Sequence, residues 1–225
     1  DIIVLKNNKG TEDNRVRKLD YSIQLSELFY KRFIENKDIT LFSPHDVPGL
    51  YDAFGTPEFD ELYEKYERAT SVKKKKISAQ QLFLSILKER AETGRIYIMN
   101  IDHTNTHSSF KDVVRMSNLC QEITLPTDPL QHIDGEGEIA LCILSAINLG
   151  QIKDKDDLEN LCDLSVRGLE ELIDLQNYPV KAAEMSTKAR RSLGIGYIGL
   201  AHFLAKNKVK YDSPDAWKLV DEYTE

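Results

Sequence analysis

The sequence predicts an α/β fold with parallel strands, and two observations carry that expectation. Short apolar runs bounded by glycine or polar residues alternate with segments whose apolar side chains recur every three to four positions. Strands that alternate with helices in this way imply an α/β fold with parallel pairing. The chain has 225 residues, of which 41% are hydrophobic and 30% charged, ordinary values for a globular protein with a sizeable core in one or two domains.

In chain order, Asp1-Ile-Ile-Val-Leu5 reads as a strand. Tyr21 to Asn36 carries Ile23, Leu25, Leu28, Phe29, Phe33 and Ile34 at helical spacing. Ile39 to Phe42 is a short apolar run, followed by the Pro/Gly-punctuated loop Ser43 to Gly49. Glu58 to Arg68 and Ser78 to Glu92 read as two charged-faced helices around the basic run Lys73 to Lys76. In an acidic chain that run reads as a solvated loop or first turn rather than a nucleic-acid contact. Gly94 ends the second helix and Arg95 to Asn100 is a strand. Glu138 to Leu144 is a further apolar strand, and Asp156 to Gln176 a long amphipathic helix bearing Cys162, read as a buried core cysteine. Ile195 to Lys206 reads as an inward-packed apolar helix. The chain has no initiator methionine and stops in the amphipathic stretch from Trp217 to Glu225 without a terminating glycine or proline, which suggests a segment of something larger.

Composition narrows the function. A net charge of −7 offers no general attraction to nucleic acid or an anionic membrane. No apolar run approaches the roughly 20 residues of a spanning helix, and no signal-peptide pattern opens the chain. Three cysteines, at 120, 142 and 162, are too few and too irregular for a secreted disulfide framework, so a reducing cytoplasm is expected.

Chemistry concentrates in Met116-Ser-Asn-Leu-Cys-Gln-Glu-Ile123. Asn118, Cys120 and Glu122 occupy alternate positions, and in an extended segment such residues project from one face, about 7 Å apart per step. A largely protonated thiol can donate or lose a hydrogen atom, a carboxylate can act as a general base toward a hydroxyl, and an amide can hold that hydroxyl. The spacing alone is weak evidence and by itself favours a loop cysteine among polar neighbours.

Ser117-Asn-Leu-Cys-Gln-Glu122, followed by Gly137-Glu-Ile-Ala-Leu-Cys-Ile-Leu-Ser-Ala-Ile-Asn-Leu-Gly150, resembles the finger loop and following strand of class I ribonucleotide reductase large subunits. Leu5-Lys-Asn-Asn, Asn14-Arg-Val-Arg, Asp38 to Asp52, Thr93-Gly-Arg-Ile-Tyr-Ile98, Asp102-His-Thr-Asn-Thr-His107 and Arg190-Arg-Ser-Leu-Gly-Ile-Gly196 resemble that family in the same order, most closely its class Ia and bacteriophage-type branch. The resemblance implies part of a ten-stranded α/β barrel: residues 1–100 ending the first half-barrel, 101–137 forming the finger-loop region, and 138–225 starting the second half. It also implies roles. Cys120 would be the transient thiyl that abstracts the ribose 3′-hydrogen, Glu122 the base for the 3′-hydroxyl, and Asn118 the amide that binds substrate. Cys142 would be one of two thiols that reduce the substrate and end as a disulfide. The second such thiol has no counterpart in this chain, and the family's effector sites fall before residue 1. Its phosphate loop, relay tyrosines and C-terminal cysteine pair fall after residue 225. No cofactor is expected on this segment itself; the implied radical cofactor belongs to a small subunit. Implied partners are the remainder of the large subunit, that small subunit, a thioredoxin or glutaredoxin, and a second large subunit. The implied substrate is a ribonucleoside diphosphate.

Competing readings are a non-catalytic relic or assembly module of the same fold, and a metal-binding domain using His103, His107 and a cysteine. No acid completes an H-E-x-x-H pattern, so hydrogen-bonded structural histidines are expected. Gly194-Ile-Gly-Tyr-Ile-Gly199 fits the dinucleotide fingerprint, but the polar and basic Thr187-Lys-Ala-Arg-Arg-Ser-Leu193 stands where that motif needs an apolar strand. Its glycines are therefore expected to permit close packing of the next helix.

Overall fold

The computed structural model describes residues 20–225, in two compact units that divide between Thr127 and Asp128. The strand expected at Asp1 to Leu5 and the motifs at Leu5 to Asn8 and Asn14 to Arg17 lie outside the described residues.

In the first unit, β1 (Ser22–Leu25) runs into α1 (Glu27–Ile34). The single helix expected from Tyr21 to Asn36 is thus two elements. Ser26 divides them: its side chain accepts from the Phe29 N–H as an N-cap, so the helix starts at Glu27. Ile23 and Leu25 fit a two-residue period equally well, and β1 pairs in parallel with β4 (Tyr97–Asn100), Ser22 opposite Tyr97. β2 (Asp38–Phe42) pairs antiparallel with β3 (Lys74–Ser78), and α2 (Leu50–Ala53) and α3 (Phe59–Arg68) lie between them in sequence. β3 corrects the solvated-loop reading of the basic run. Lys74 Nζ donates to the carbonyls of Glu67 and Ala69 at 2.6 and 2.5 Å, so it satisfies acceptors that the C-terminus of α3 leaves open. α4 (Ala79–Thr93) opens on the Ser78 cap and closes on Gly94, left-handed at φ 66°. The core gathers Leu25, Leu28, Phe29, Ile39, Phe59, Tyr63 and Ala79. Tyr63 reaches it with its hydroxyl satisfied, accepting from Thr40 N and donating to Thr40 O. α5 (Ile101–Thr106) follows β4 directly.

In the second unit, β5 (Ile143–Asn148) and β6 (Leu193–Ile198) pair in parallel, Leu144 opposite Gly194 and Ala146 opposite Gly196. The connection is α6 (Lys155–Leu175) and α7 (Lys181–Arg190), and α8 (Leu200–Lys206) and α9 (Pro214–Thr224) follow. β5 starts five residues later than Glu138, where the apolar run suggested. Glu138 is committed elsewhere: its N–H donates to Asp128 O and its carboxylate takes both Arg190 Nε and Arg190 Nη2, at 2.9 and 2.7 Å. Ser186 Oγ claims the carbonyl of Ile139.

The helix expected from Ile195 to Lys206 is also two elements. Gly199 stands at φ 72°, and a Cβ there would meet Asn148 Oδ1 at 2.3 Å, so the chain turns at this glycine and only then coils. Of α8, Phe203 and Leu204 are buried, with Ile147, Leu149, Ile152 and Ala216. Cys162 does not join a core; it is exposed on α6, whose buried residues are Leu169 and Ile173. Among the described residues no helix is long and apolar enough to cross a membrane.

Candidate active site

The loop that carries Asn118, Cys120 and Glu122 is built on two anchors. Val114 is fully buried, and the Asn105 side chain meets its backbone in both directions, accepting from Val114 N at 2.8 Å and donating to Val114 O at 3.1 Å. Gln24 of β1 donates to Arg115 O at 2.8 Å, and the Arg115 guanidinium reaches back to the carbonyls of Asp52 and Phe54. The loop therefore leaves the core from a fixed base.

Its neck is closed by its own residues. Ser117 Oγ donates to Ile123 O at 2.6 Å, and Ile123 N donates to Asn118 Oδ1 at 3.1 Å. Between these ends the chain makes a turn, Gln121 N donating to Asn118 O at 3.2 Å, with Gln121 left-handed at φ 69°. The segment is thus not extended through Cys120, and one-face alternation does not govern it; the turn places the thiol at its tip instead. A left-handed non-glycine residue costs on the order of 1 kcal/mol or more and persists where its surroundings fix it, as the bonds from Gln121 N and Ile123 N to Asn118 do.

Because a backbone N–H can only donate, the Asn118 atom facing Ile123 is oxygen. Its carbonyl end is occupied in bracing the loop, and the amide NH2 remains to hold an acceptor from outside. Leu119, Cys120 and Glu122 are exposed.

One neighbour was not anticipated. Tyr97, at the start of β4, is a neighbour of Cys120, and the charge the thiol can carry pushes the phenol above its ordinary value. In the sequence Tyr97 reads only as a strand residue. The signal that could have found it is a lone phenol in an otherwise aliphatic run.

Cys142 belongs to the second unit. It is half-buried, immediately before β5, and its sulfur lies against Gly194 of β6. No disulfide joins any of the three cysteines. His103 and His107 are exposed with their rings edge-on, centroids 6.1 Å apart, and among the described residues no side-chain hydrogen bond holds either ring, unlike the expectation. Among the described residues no group of three or more His, Cys, Asp and Glu side chains is arranged to hold a metal ion.

With this geometry established, comparison with known proteins decides the family. The model of the ribonucleotide reductase barrel domain matches residues 1–225. The chain belongs to the ribonucleotide reductase barrel family. It is 57% identical over 221 residues to the ribonucleoside-diphosphate reductase subunit alpha of Haemophilus influenzae, covering 96% of this chain and 29% of that relative. Identity to the ribonucleoside-diphosphate reductase 1 subunit alpha of Escherichia coli is 52%, over 97% of this chain and 29% of the relative. For the alpha subunit of Enterobacteria phage T4 it is 44%, over 100% of this chain and 30% of the relative. The chain thus spans less than a third of the length of these relatives. Among the described residues, helices combine with two parallel strand pairs and, against the all-parallel expectation, one antiparallel pair, an α/β mixture that fits a piece of that barrel domain.

Proposed function

We propose that this chain is the part of a ribonucleoside-diphosphate reductase alpha subunit that carries its hydrogen-abstracting thiol and one of its two reducing thiols. The observation that carries the reading is the self-braced loop, which presents the Cys120 thiol at the tip of a turn with Asn118 and Glu122 on either side. Hydrogen-atom transfer needs the reacting atoms within about 3–3.5 Å, so a thiol on a rigid turn suits it better than one on a mobile strand.

In this reading Cys120, as a thiyl, takes the ribose 3′-hydrogen while Glu122 takes the proton of the 3′-hydroxyl. Asn118 holds the substrate through its amide NH2. Cys142 and a second thiol outside this chain reduce the ribonucleotide and end as a disulfide. Residues 1–100, 101–137 and 138–225 would be the end of one half-barrel, the finger-loop region and the start of the other half. The radical cofactor would reside in a small subunit, nucleotide effectors would bind outside this segment, and a thioredoxin or glutaredoxin in the cytoplasm would restore the thiols. Turnover would need the complementary polypeptide and a second alpha subunit.

The test is Cys120→Ser in a complete alpha subunit carrying this segment, assayed with its radical-generating partner. Loss of ribonucleoside diphosphate reduction with assembly intact is the expected result. Retained turnover, or full turnover by the 225-residue chain alone, would overturn the proposal.

A further inference from the structure

The three glycines of Gly194-Ile-Gly-Tyr-Ile-Gly199 meet three different surroundings. Gly199 is required by its left-handed backbone and by Asn148. Gly196 faces open space: a Cβ there would meet nothing within 4 Å. Gly194 has no left-handed backbone to demand glycine, yet a Cβ on it would stand 3.0 Å from Cys142 Sγ and 2.5 Å from Leu144 Cδ2. What this position supplies is room, and the sulfur of Cys142 borders it.

We propose that Gly194 is the positioning residue for Cys142, holding open the space in which that thiol works. The inference rests on the reading of Cys142 as a reducing thiol. Each turnover would convert two S–H bonds into one S–S bond, the second thiol coming from the rest of the subunit. Two electrons and two protons would pass to the ribonucleotide as its 2′ C–O bond breaks and water leaves. A disulfide demands an S–S length near 2.05 Å and Cβ atoms about 3.5–4.5 Å apart. The same sulfur must also face substrate as a thiol, so it changes rotamer between the two states and needs space for both.

The backbone around Cys142 is poorly placed to yield that space instead. Before the cysteine, Glu138 is held by Arg190 and the carbonyl of Ile139 by Ser186, both on α7. After it, Leu144 is locked in register opposite Gly194. A Cβ at 194 would therefore displace the sulfur rather than the strands. The glycine run that resembles a nucleotide-binding loop has, in this fold, a steric task at a thiol.

The experiment compares Gly194→Ala with Gly196→Ala on the same strand. In the chain, alkylation of each cysteine by iodoacetamide is followed by peptide mass spectrometry, Cys120 and Cys162 serving as internal references. Gly194→Ala is expected to slow alkylation of Cys142 by a factor on the order of three or more through lost access, with the other two cysteines unchanged. In a complete alpha subunit with its partner, the same variant is expected to lower kcat about tenfold or more with KM near unchanged, since misplacement of a reacting group acts on the chemical step. Gly196→Ala should match the unsubstituted protein in both assays. Should Gly194→Ala fail to fold, the double variant with Leu144→Ala removes the closer clash and keeps the sulfur contact. Slow alkylation in that double variant supports the proposal, and unsubstituted rates in it overturn the proposal, as would unchanged alkylation and kcat in folded Gly194→Ala. Turnover by Cys142→Ser would instead sink the reading of Cys142 as a reducing thiol, and leaves the alkylation comparison standing as a separate result.

Discussion

Arg32 of α1 and Glu67 of α3 form a two-pronged ion pair, Nη1 to Oε1 at 2.6 Å and Nη2 to Oε2 at 2.7 Å. Thr40 of β2 donates to the same carboxylate, so one charge ties together two helices and a strand. The side chains are only 12% and 17% exposed, which places the pair above the usual surface ion pair in worth. Hydrogen bonds from the Arg32 guanidinium, chiefly, hold the Glu67 carboxyl down from 4.5 to about 2.

A pH dependence follows from that depression. A carboxylate whose folded value lies below its unfolded one adds stability that is complete above the unfolded value of 4.5 and is lost as pH falls through about 2. Glu67→Gln should therefore destabilise the chain by about 2 kcal/mol at pH 7, with the difference shrinking as the pH is lowered through that window. Urea unfolding of both proteins at pH 7 and near pH 2 measures it. A difference that stays constant with pH would show that the charge is not responsible.

Lys74 gives a second prediction, because its ammonium caps the C-terminal carbonyls of α3 while its neighbour Lys75 is exposed on the same strand. Removing the cap in Lys74→Met should cost about 1 kcal/mol, while Lys75→Met should lie within about 0.5 kcal/mol of the original. Thermal melts of the two variants side by side make the comparison. Equal melting temperatures would mean that the cap contributes nothing.

These two residues also show how far the sequence could be read. Lys74 sits in a basic run whose composition says solvated, and nothing local reveals that α3 ends within reach of its ammonium. The same limit applies to β1 and β6. Ile23 and Leu25 satisfy helical and strand periods together, and only pairing with β4 selects the strand. Ile195 and Tyr197 sit in an apolar run that reads as helix until β5 supplies a partner. Where the signal was local it sufficed: Ser78 and Gly94 bound α4 at the expected ends, and α6 spans nearly the expected residues. At the candidate site, the sequence singles out Asn118, Cys120 and Glu122 as candidates but gives no sign of the turn. It depends on Ser117 and Asn118 bonding to the backbone of Ile123, and a pattern of polar and apolar letters carries no record of that.

Asn118 supports a third prediction, one that separates its two ends. Asn118→Asp keeps an oxygen for the Ile123 N–H and removes the amide donor, whereas Asn118→Ala removes both. Hydrogen exchange at the Ile123 amide should stay slow in the aspartate variant and quicken in the alanine variant, by a factor on the order of five for a bond worth about 1 kcal/mol. Turnover in the complete enzyme should fall in both if the NH2 group holds substrate. Slow exchange in both variants would show that the neck is held by Ser117 alone.

Tyr97 and Cys120 supply the last prediction, which reads the candidate thiol from its neighbour. The phenol is raised chiefly by the charge that Cys120 carries when ionised. A negative sulfur beside a phenol opposes the loss of a second proton, so the sign of the coupling is upward on the phenol. Replacing the thiol in Cys120→Ser removes the charge and should bring Tyr97 back toward its ordinary value of 10.0. The ring resonances of Tyr97, followed by NMR through the alkaline range, report this for one tyrosine among the ten. A phenol that titrates at the same pH with serine at 120 would mean that its displacement arises from burial and Asp20 instead, and that β4 does not hold the loop tip in solution.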